Sequence, residues 1–215
     1  PLFDQVLSLG TKNSKTLGHF PKGAFEEHGN KGAIIGAHIG NKNLLGYVLF
    51  SITTSKSTVR IVHLCVNENH RGKGVAKLLL DDVRKKYSKL LKGIILSCRE
   101  DYYEATKFWK KYGFVAKNRI RSRSKQENYL TKWWYDFGNQ DLFSWSNENS
   151  ENTKALLDAN IIIKLRDNDI NDHTGTKYLM ADWLVDEIDY YYAPEFFNEI
   201  QRDNDKVRAE KSRNF

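Results

Sequence analysis

Cysteine is scarce in this chain: Cys65 and Cys98 are the only two among 215 residues. Both fall in apolar segments of strand length, so buried, reduced thiols are expected rather than a disulfide framework. Neither has a spacing that suits zinc, and the six histidines are scattered. Apolar runs are far shorter than the ~20 residues a bilayer-spanning helix needs. Nothing at the start has the basic-then-apolar order of a secretion signal. A soluble, cytoplasmic protein without membrane attachment is the expectation. Internal repeats are absent. The chain opens at Pro1 without a methionine, which reads as a processed or engineered piece.

What is present suffices for a real core, with 40% hydrophobic and 13% aromatic residues. The length has room for one large domain, or for one domain plus a fragment. Charge is uneven. Residues 151–215 hold 14 Asp/Glu and 9 Lys/Arg, about −5, against +7 for the whole, which leaves about +12 for the first 150 residues. Two units with different partners are implied. A basic surface suits phosphates, nucleic acid or an acidic protein.

The chain is organised around Arg60 to Leu91. Ile61, Val62, Leu64, Cys65 and Val66 form a short β-rich run. Asn67 to His70 break it, and Arg71-Gly72-Lys73-Gly74-Val75-Ala76 follow. From Val75 the apolar positions recur at Leu78, Leu79, Val83, Tyr87, Leu90 and Leu91, the period of an amphipathic helix. A helix entered through glycines presents unpaired N–H groups and a positive dipole end, which together make an anion site. Arg71 and Lys73 add charge at its mouth.

Around this stretch the order is helices, a meander, then strand–loop–helix–strand–helix–strand–strand. Val6 to Leu9 reads as a short strand, Ser14 to Phe20 as a helical turn closed by Pro21, and Lys22 to His28 as a second short helix. Ala33–Ile39 and Leu44–Ile52 read as strands paired through the turn at residues 40–43. Ile94 to Cys98 follows as a buried strand. Tyr103 to Tyr112 is an amphipathic helix stopped by Gly113, and Phe114–Arg119 and Tyr129–Phe137 are strands around the polar loop Ile120 to Asn128.

The spacing Arg71-x-x-Gly74-x-Ala76 after a buried strand resembles the acetyl-CoA pyrophosphate loop of the GNAT acetyltransferase superfamily. Ala105-x-x-Phe108-Trp109-x-x-Tyr112-Gly113-Phe114 is similar to that family's helix leading into a Gly-Phe strand, and Gly46-Tyr47-Val48 lies at the expected distance. The resemblance covers roughly residues 3–143. It implies an α/β (α+β) fold, with a mixed, centrally splayed sheet flanked by helices. It further implies an N-acetyltransferase that moves acetyl from acetyl-CoA directly to an amine of unknown identity. Backbone groups of Leu64, Cys65 and Val66 would bond the pantetheine. Amides of Arg71, Gly72, Lys73, Gly74, Val75 and Ala76 would hold the pyrophosphate.

Two positions depart from the family pattern. The tyrosine that many members use to protonate the thiolate falls at Trp109, which has no acidic proton to give. The common asparagine falls at Tyr102, carried here as a cofactor contact. Tyr112 is the candidate acid, with Tyr102 and Tyr103 as substitutes. Glu26, Glu27, His63 and Glu68 are the candidate bases; His63 has a suitable pKa and shares a strand face with Cys65.

Five basic residues fall between Lys117 and Lys125, with Trp133 and Trp134 beyond. Such a loop either is a solvated strand connection or grips nucleic acid. An alternative function follows: a CoA-binding, nucleic-acid-associated module.

Ser144 to Thr153 is polar and reads as a linker, residues 144–153. Beyond it, the apolar Ala155–Leu157 ending in Asp158-x-Asn160 looks like the opening of a PIN nuclease domain. Asp172 to Ile188 would be a helix, Tyr190 to Ala193 a short strand, and Pro194 to Ile200 the family's next helix, with Glu199 at the second acidic position. Residues 154–215 are thus expected to be a truncated PIN-like α/β segment. Two carboxylates hold Mg²⁺ poorly, so no metal site and no nuclease activity are expected. A remnant so small would pack on the first domain or on another copy, which leaves a homodimer open.

Overall fold

The computed structural model describes residues 2–40, 43–123, 128–139, 152–167, 175–184, 187–193 and 195–196. The chain divides into two compact units, Pro1–Ser150 and Glu151–Phe215. The division falls within the expected linker, of which residues 144–151 lie outside the described residues.

The first unit opens with three helices, α1 (Leu2–Lys12), α2 (Ser14–Leu17) and α3 (Lys22–Asn30). A meander follows of β1 (Ile34–Ile39), β2 (Asn43–Thr53) and β3 (Thr58–Val66), each antiparallel to the next. A 3-10 turn at Glu68–His70 leads into α4 (Val75–Tyr87), then β4 (Gly93–Arg99), α5 (Tyr103–Tyr112), β5 (Val115–Arg121) and β6 (Tyr129–Asp136). The six strands form one mixed sheet in the order β1-β2-β3-β4-β6-β5.

The strand expected at Val6–Leu9 is helix. A wider window shows why: Phe3, Val6 and Gly10 recur every three to four residues, and Val6 and Gly10 are the buried positions of α1. Gly10 is a point of close approach. A β-carbon there would lie 2.7 Å from both the Tyr47 hydroxyl and the Phe25 ring.

Helices α4 and α5 cover one face of the sheet. Val75, Leu79, Leu80 and Val83 of α4 and Trp109 of α5 pack on Val48, Phe50, Val59, Ile61, Ile94, Leu96 and Trp133. Each such buried side chain contributes about 1.5–3 kcal/mol. Helix α5 closes at Gly113 with paired bonds, Phe114 N–H to Trp109 O (3.0 Å) and Gly113 N–H to Lys110 O (3.1 Å), so two of its last carbonyls are satisfied.

The second unit contains β7 (Thr153–Leu157), α6 (Ala159–Asp167) and β8 (Ile188–Tyr192), with β7 and β8 parallel in register Thr153↔Ile188 to Leu157↔Tyr192. Asp158 ends β7 and turns the chain into α6: its carboxylate accepts the Asn160 N–H at 2.9 Å. The helix expected over Asp172 to Ile188 is not continuous. Gly175 has φ +73°, and the described part beyond it is two 3-10 turns, Thr176–Met180 and Asp182–Leu184. A left-handed glycine interrupts an α-helix. Glu199 lies outside the described residues.

Among the described residues no helix is long and apolar enough to cross a membrane. No group of three or more His, Cys, Asp or Glu among them could hold a metal ion.

Candidate active site

Strands β3 and β4 pair for only three rungs, Thr58↔Gly93, Val59↔Ile94 and Arg60↔Ile95. Both then continue apart, β3 to Val66 along β2 and β4 to Arg99 along β6. A bulge accompanies the parting: Leu49 faces His63 while Phe50 faces Ile61, so Val62 is the extra residue. Bulges bend a strand and increase its twist. From Ile61 to Val66 the edge of β3 turned toward β4 therefore carries no strand, and its backbone is free to bond an extended ligand.

The loop Arg71–Ala76 stands at the open end of β3. Gly72 and Gly74 have φ +73° and +83°, a region that side chains with a β-carbon rarely enter. A β-carbon at either would meet nothing within 4 Å, so the loop borders open space. The first bond of α4 runs from Leu78 N–H to Gly74 O (3.0 Å), which leaves the amides of Val75, Ala76 and Lys77 ahead of the helical ladder. Arg71 donates from Nε to Val66 O (3.2 Å) and from its guanidinium to Asn13 Oδ1 (3.4 Å). Lys73 Nζ donates to Asn69 O (2.9 Å). Amides, dipole and two cations thus converge on one solvent-facing cradle, with the chemistry of a polyanion site.

The expected cofactor residues are contiguous here. Leu64 and Val66 pack toward α4 and α5, while Cys65 is buried on the other face and its thiol is pushed up to about 11 by burial. Tyr102 precedes α5; its ring lies under the Arg99 guanidinium (4.8 Å) and its hydroxyl donates to Lys15 O (3.5 Å). Tyr103 is largely exposed.

His63 and Tyr112 are not brought together. His63 is only 1% exposed, enclosed by Phe20 (ring centroids 5.0 Å apart), Phe25 (5.8 Å) and Tyr47. Its Nδ1 is 3.1 Å from the Tyr47 hydroxyl, and Nε2 finds no partner among the described residues. Burial, with a smaller contribution from His28, lowers its pKa to about 4. Tyr112 lies among the side chains packed on the α4–α5 face, where its hydroxyl donates to Asp81 Oδ1 (2.8 Å). Burial and that carboxylate both hold the phenol protonated well above its ordinary range. Trp109 is buried against Phe108 and Phe114.

The other candidate bases sit in exposed ion pairs: Glu26 with Lys22 (3.6 Å), Glu27 with Lys31 (2.5 Å) and Glu68 with Lys12 (3.5 Å). In the basic segment, Arg119 donates to both carboxylate oxygens of Glu100 (3.0 and 3.1 Å) and lies 3.6 Å over the Tyr129 ring. Residues 124–125 of that segment lie outside the described residues.

Two cations went unremarked in the sequence. Arg60, only 8% exposed, occupies the last rung before the strands part. Lys132 of β6 stands opposite Ser97 of β4, just beyond that rung. Burial first, then Lys56 and Arg60, hold the Lys132 ammonium below the usual lysine range. The available signal was a charge inside each apolar run, Val59-Arg60-Ile61 and Leu130-Thr131-Lys132-Trp133.

Residues 21–127 match the model of the family described as Acetyltransferase (GNAT) domain. Solved structures share the fold. NAA60 of Arabidopsis thaliana in complex with a bisubstrate analogue is 19% identical, with a TM-score of 0.56 over 62% of this chain and 91% of that one. The same protein with acetyl-CoA gives 19% identity and 0.55, over 62% and 94%. The NatC complex bound to Gag peptide and CoA gives 16% and 0.56, over 62% and 89%. No curated protein matches the chain in sequence. Family match and shared fold agree with the parted strands and glycine loop: residues 21–127 form an acetyltransferase (GNAT) domain.

Proposed function

We propose that the chain is an acetyl-CoA-dependent N-acetyltransferase that passes acetyl directly to an amine. The observation that carries this reading is the parting of β3 from β4 after Arg60↔Ile95, which leaves an unpaired β3 edge leading toward an open glycine loop at the start of α4. The residues present fit the ligand. Amides of Gly72 to Lys77, with Arg71 and Lys73, would take the pyrophosphate. The free edge of Leu64 to Val66 would take the pantetheine amides as a strand takes a neighbour. NAA60 solved with acetyl-CoA supports the cosubstrate, and NatC solved with a peptide and CoA supports an amine acceptor.

Acetyl-CoA supplies an activated acyl thioester. The protein's part is to hold that carbonyl where the strands part and to keep the approaching amine neutral. Buried Arg60 at the last rung adds a fixed positive charge there, of the sign that stabilises a developing oxyanion. With Tyr112 bonded to Asp81 and His63 enclosed, proton traffic by solvent entering the gap fits this arrangement better than either side chain.

The working division is an acetyltransferase domain over residues 1–143, a linker at 144–153 and a PIN-like segment beyond, in a cytoplasmic protein. Parallel β7 and β8, with Asp158 at the strand end, support that reading of the second unit. The nucleic-acid-binding alternative rests on exposed Lys117 and Arg121 of edge strand β5 and is weakened where Glu100 engages Arg119.

Thermal unfolding with and without acetyl-CoA tests the main reading. Ligand at about 100-fold its Kd stabilises a one-site protein by about 2.7 kcal/mol. The parent should gain several degrees, and Gly74→Glu, which puts a carboxylate in the cradle, should gain little. No shift in the parent would remove the cosubstrate and the function with it.

A further inference from the structure

Along β3 and β4 the register defines two faces. Val59, Ile94, Leu96 and Trp133 belong to the core beneath α4 and α5. Their alternates Arg60, Ile95, Ser97, Trp134 and Lys132, tied by the rungs Arg60↔Ile95↔Trp134 and Ser97↔Lys132, therefore share the opposite face. Lys132 stands on that face two residues past the last β3–β4 rung, at the level where the gap opens. It is half-buried. Lys56 from the β2–β3 turn and Arg60 from β3 are close enough to oppose its charge.

A lysine that is partly desolvated and set beside other cations is an activated amine, because both effects favour the neutral, nucleophilic form. The proposed cosubstrate would run from the Arg71–Ala76 loop back along β3. From Val66 to Arg60 that strand covers about 20 Å at ~3.3 Å per residue, a reach that an extended pantetheine arm matches. Its thioester end would then lie in the gap, across β4 from Lys132, a single strand spacing of about 4.8 Å that the lysine's four-carbon stem can span.

We propose that Lys132 is a self-acetylation site, the first amine that the chain's own acetyl-CoA meets. This rests on the function proposed above. Neutral Nζ attacks the thioester carbonyl carbon, a C–N amide bond forms and the C–S bond breaks. CoA departs as the thiolate, and the proton shed by nitrogen passes to the thiolate or to solvent. The product is Nε-acetyl-Lys132, uncharged and one acetyl group larger, beside Arg60. The modification removes a positive charge from the mouth of the gap.

The test is made on the full chain. Purified protein is incubated with acetyl-CoA and its lysines are mapped by peptide mass spectrometry, alongside the thermal shift. Lys132 should carry the acetyl group in the parent and lose it in Gly74→Glu, which cannot hold the donor. A second readout needs no cosubstrate: competitive labelling of the free protein with acetic anhydride near neutral pH. Each pK unit of depression raises the neutral fraction about tenfold. Lys132 should therefore label severalfold faster than the exposed Lys107 and Lys117, and Arg60→Gln should narrow the difference. If acetyl-CoA stabilises the protein yet acetyl groups spread evenly over surface lysines, or Lys132 stays unmodified, the inference is overturned and the function stands. Equal or slower labelling of Lys132 by anhydride overturns it equally. If acetyl-CoA neither stabilises nor labels the protein, both fall together.

Discussion

Tyr47 of β2 and His63 of β3 meet diagonally on one face of the sheet, hydroxyl to Nδ1 at 3.1 Å, sealed beneath Phe20 and Phe25. The pair is buried on all sides and its imidazole is held neutral. That has a direct consequence for stability. His63 titrates near 4 in the folded protein and near 6.5 when unfolded. Above about pH 6.5 neither state holds the proton, and stability is greatest there. As pH falls from about 6.5 to about 4 only the unfolded chain takes it up, so up to about 3 kcal/mol is lost, and below that the slope vanishes. Urea unfolding across this range measures the slope. His63→Gln should be less stable at neutral pH and should lack this part of the dependence. An unchanged slope in the variant would place its origin elsewhere.

The floor of that pocket is Gly10. Gly10→Ala puts a methyl group 2.7 Å from the Tyr47 hydroxyl and the Phe25 ring at once. Overpacking of this kind costs about 1–3 kcal/mol, and the denaturation midpoint should fall accordingly. An unaltered midpoint would mean that α1 can lift from the sheet without penalty.

Tyr112 tests whether the second helix serves in chemistry or in packing. Tyr112→Phe keeps the ring among Phe114 and Tyr135 and removes only the bond to Asp81. The expected loss is about 1 kcal/mol of stability, with acetyl transfer per folded molecule nearly unchanged. A fall in turnover of about 100-fold or more, the scale of a lost proton donor, would instead assign the hydroxyl to catalysis.

For the second unit the expected result is negative. Incubation of the full chain with RNA or DNA and Mg²⁺ or Mn²⁺ should give no cleavage, since one strand-end carboxylate that caps its own helix is a poor metal ligand. Metal-dependent cleavage lost in Asp158→Asn would reverse that reading.

The loop and the helix behind it were legible because their signals are local: glycines that need positive φ, then apolar residues at helical spacing. The segment Val6–Leu9 was misread because four residues fit either period; only Phe3 and Gly10 on its flanks decide for helix. Arg60 and Lys132 were invisible as a pair for another reason. Their proximity depends on the register of β4 against β6, which joins segments 35 residues apart in Ser97↔Lys132. His63 as a candidate base and His63 as a core histidine could not be told apart in the sequence, because its lid comes from Phe25 of α3 and Phe20 just before it, far upstream. In the second unit the two strand segments were legible, but the interruption at Gly175 outweighed the apparent helical period.

The extra residue at Val62 acts as a phase correction. Val59 and Ile61 point to the helices, and so do Leu64 and Val66, although an unbroken strand would have sent the latter two the other way. The same offset sends His63 into its aromatic enclosure. Exchanging Val62 for another β-former should leave the two faces as they are. Deleting it should leave them as well, because Ile61, His63 and Leu64 would then alternate without a break; what would go is the bend with which β3 leaves β4.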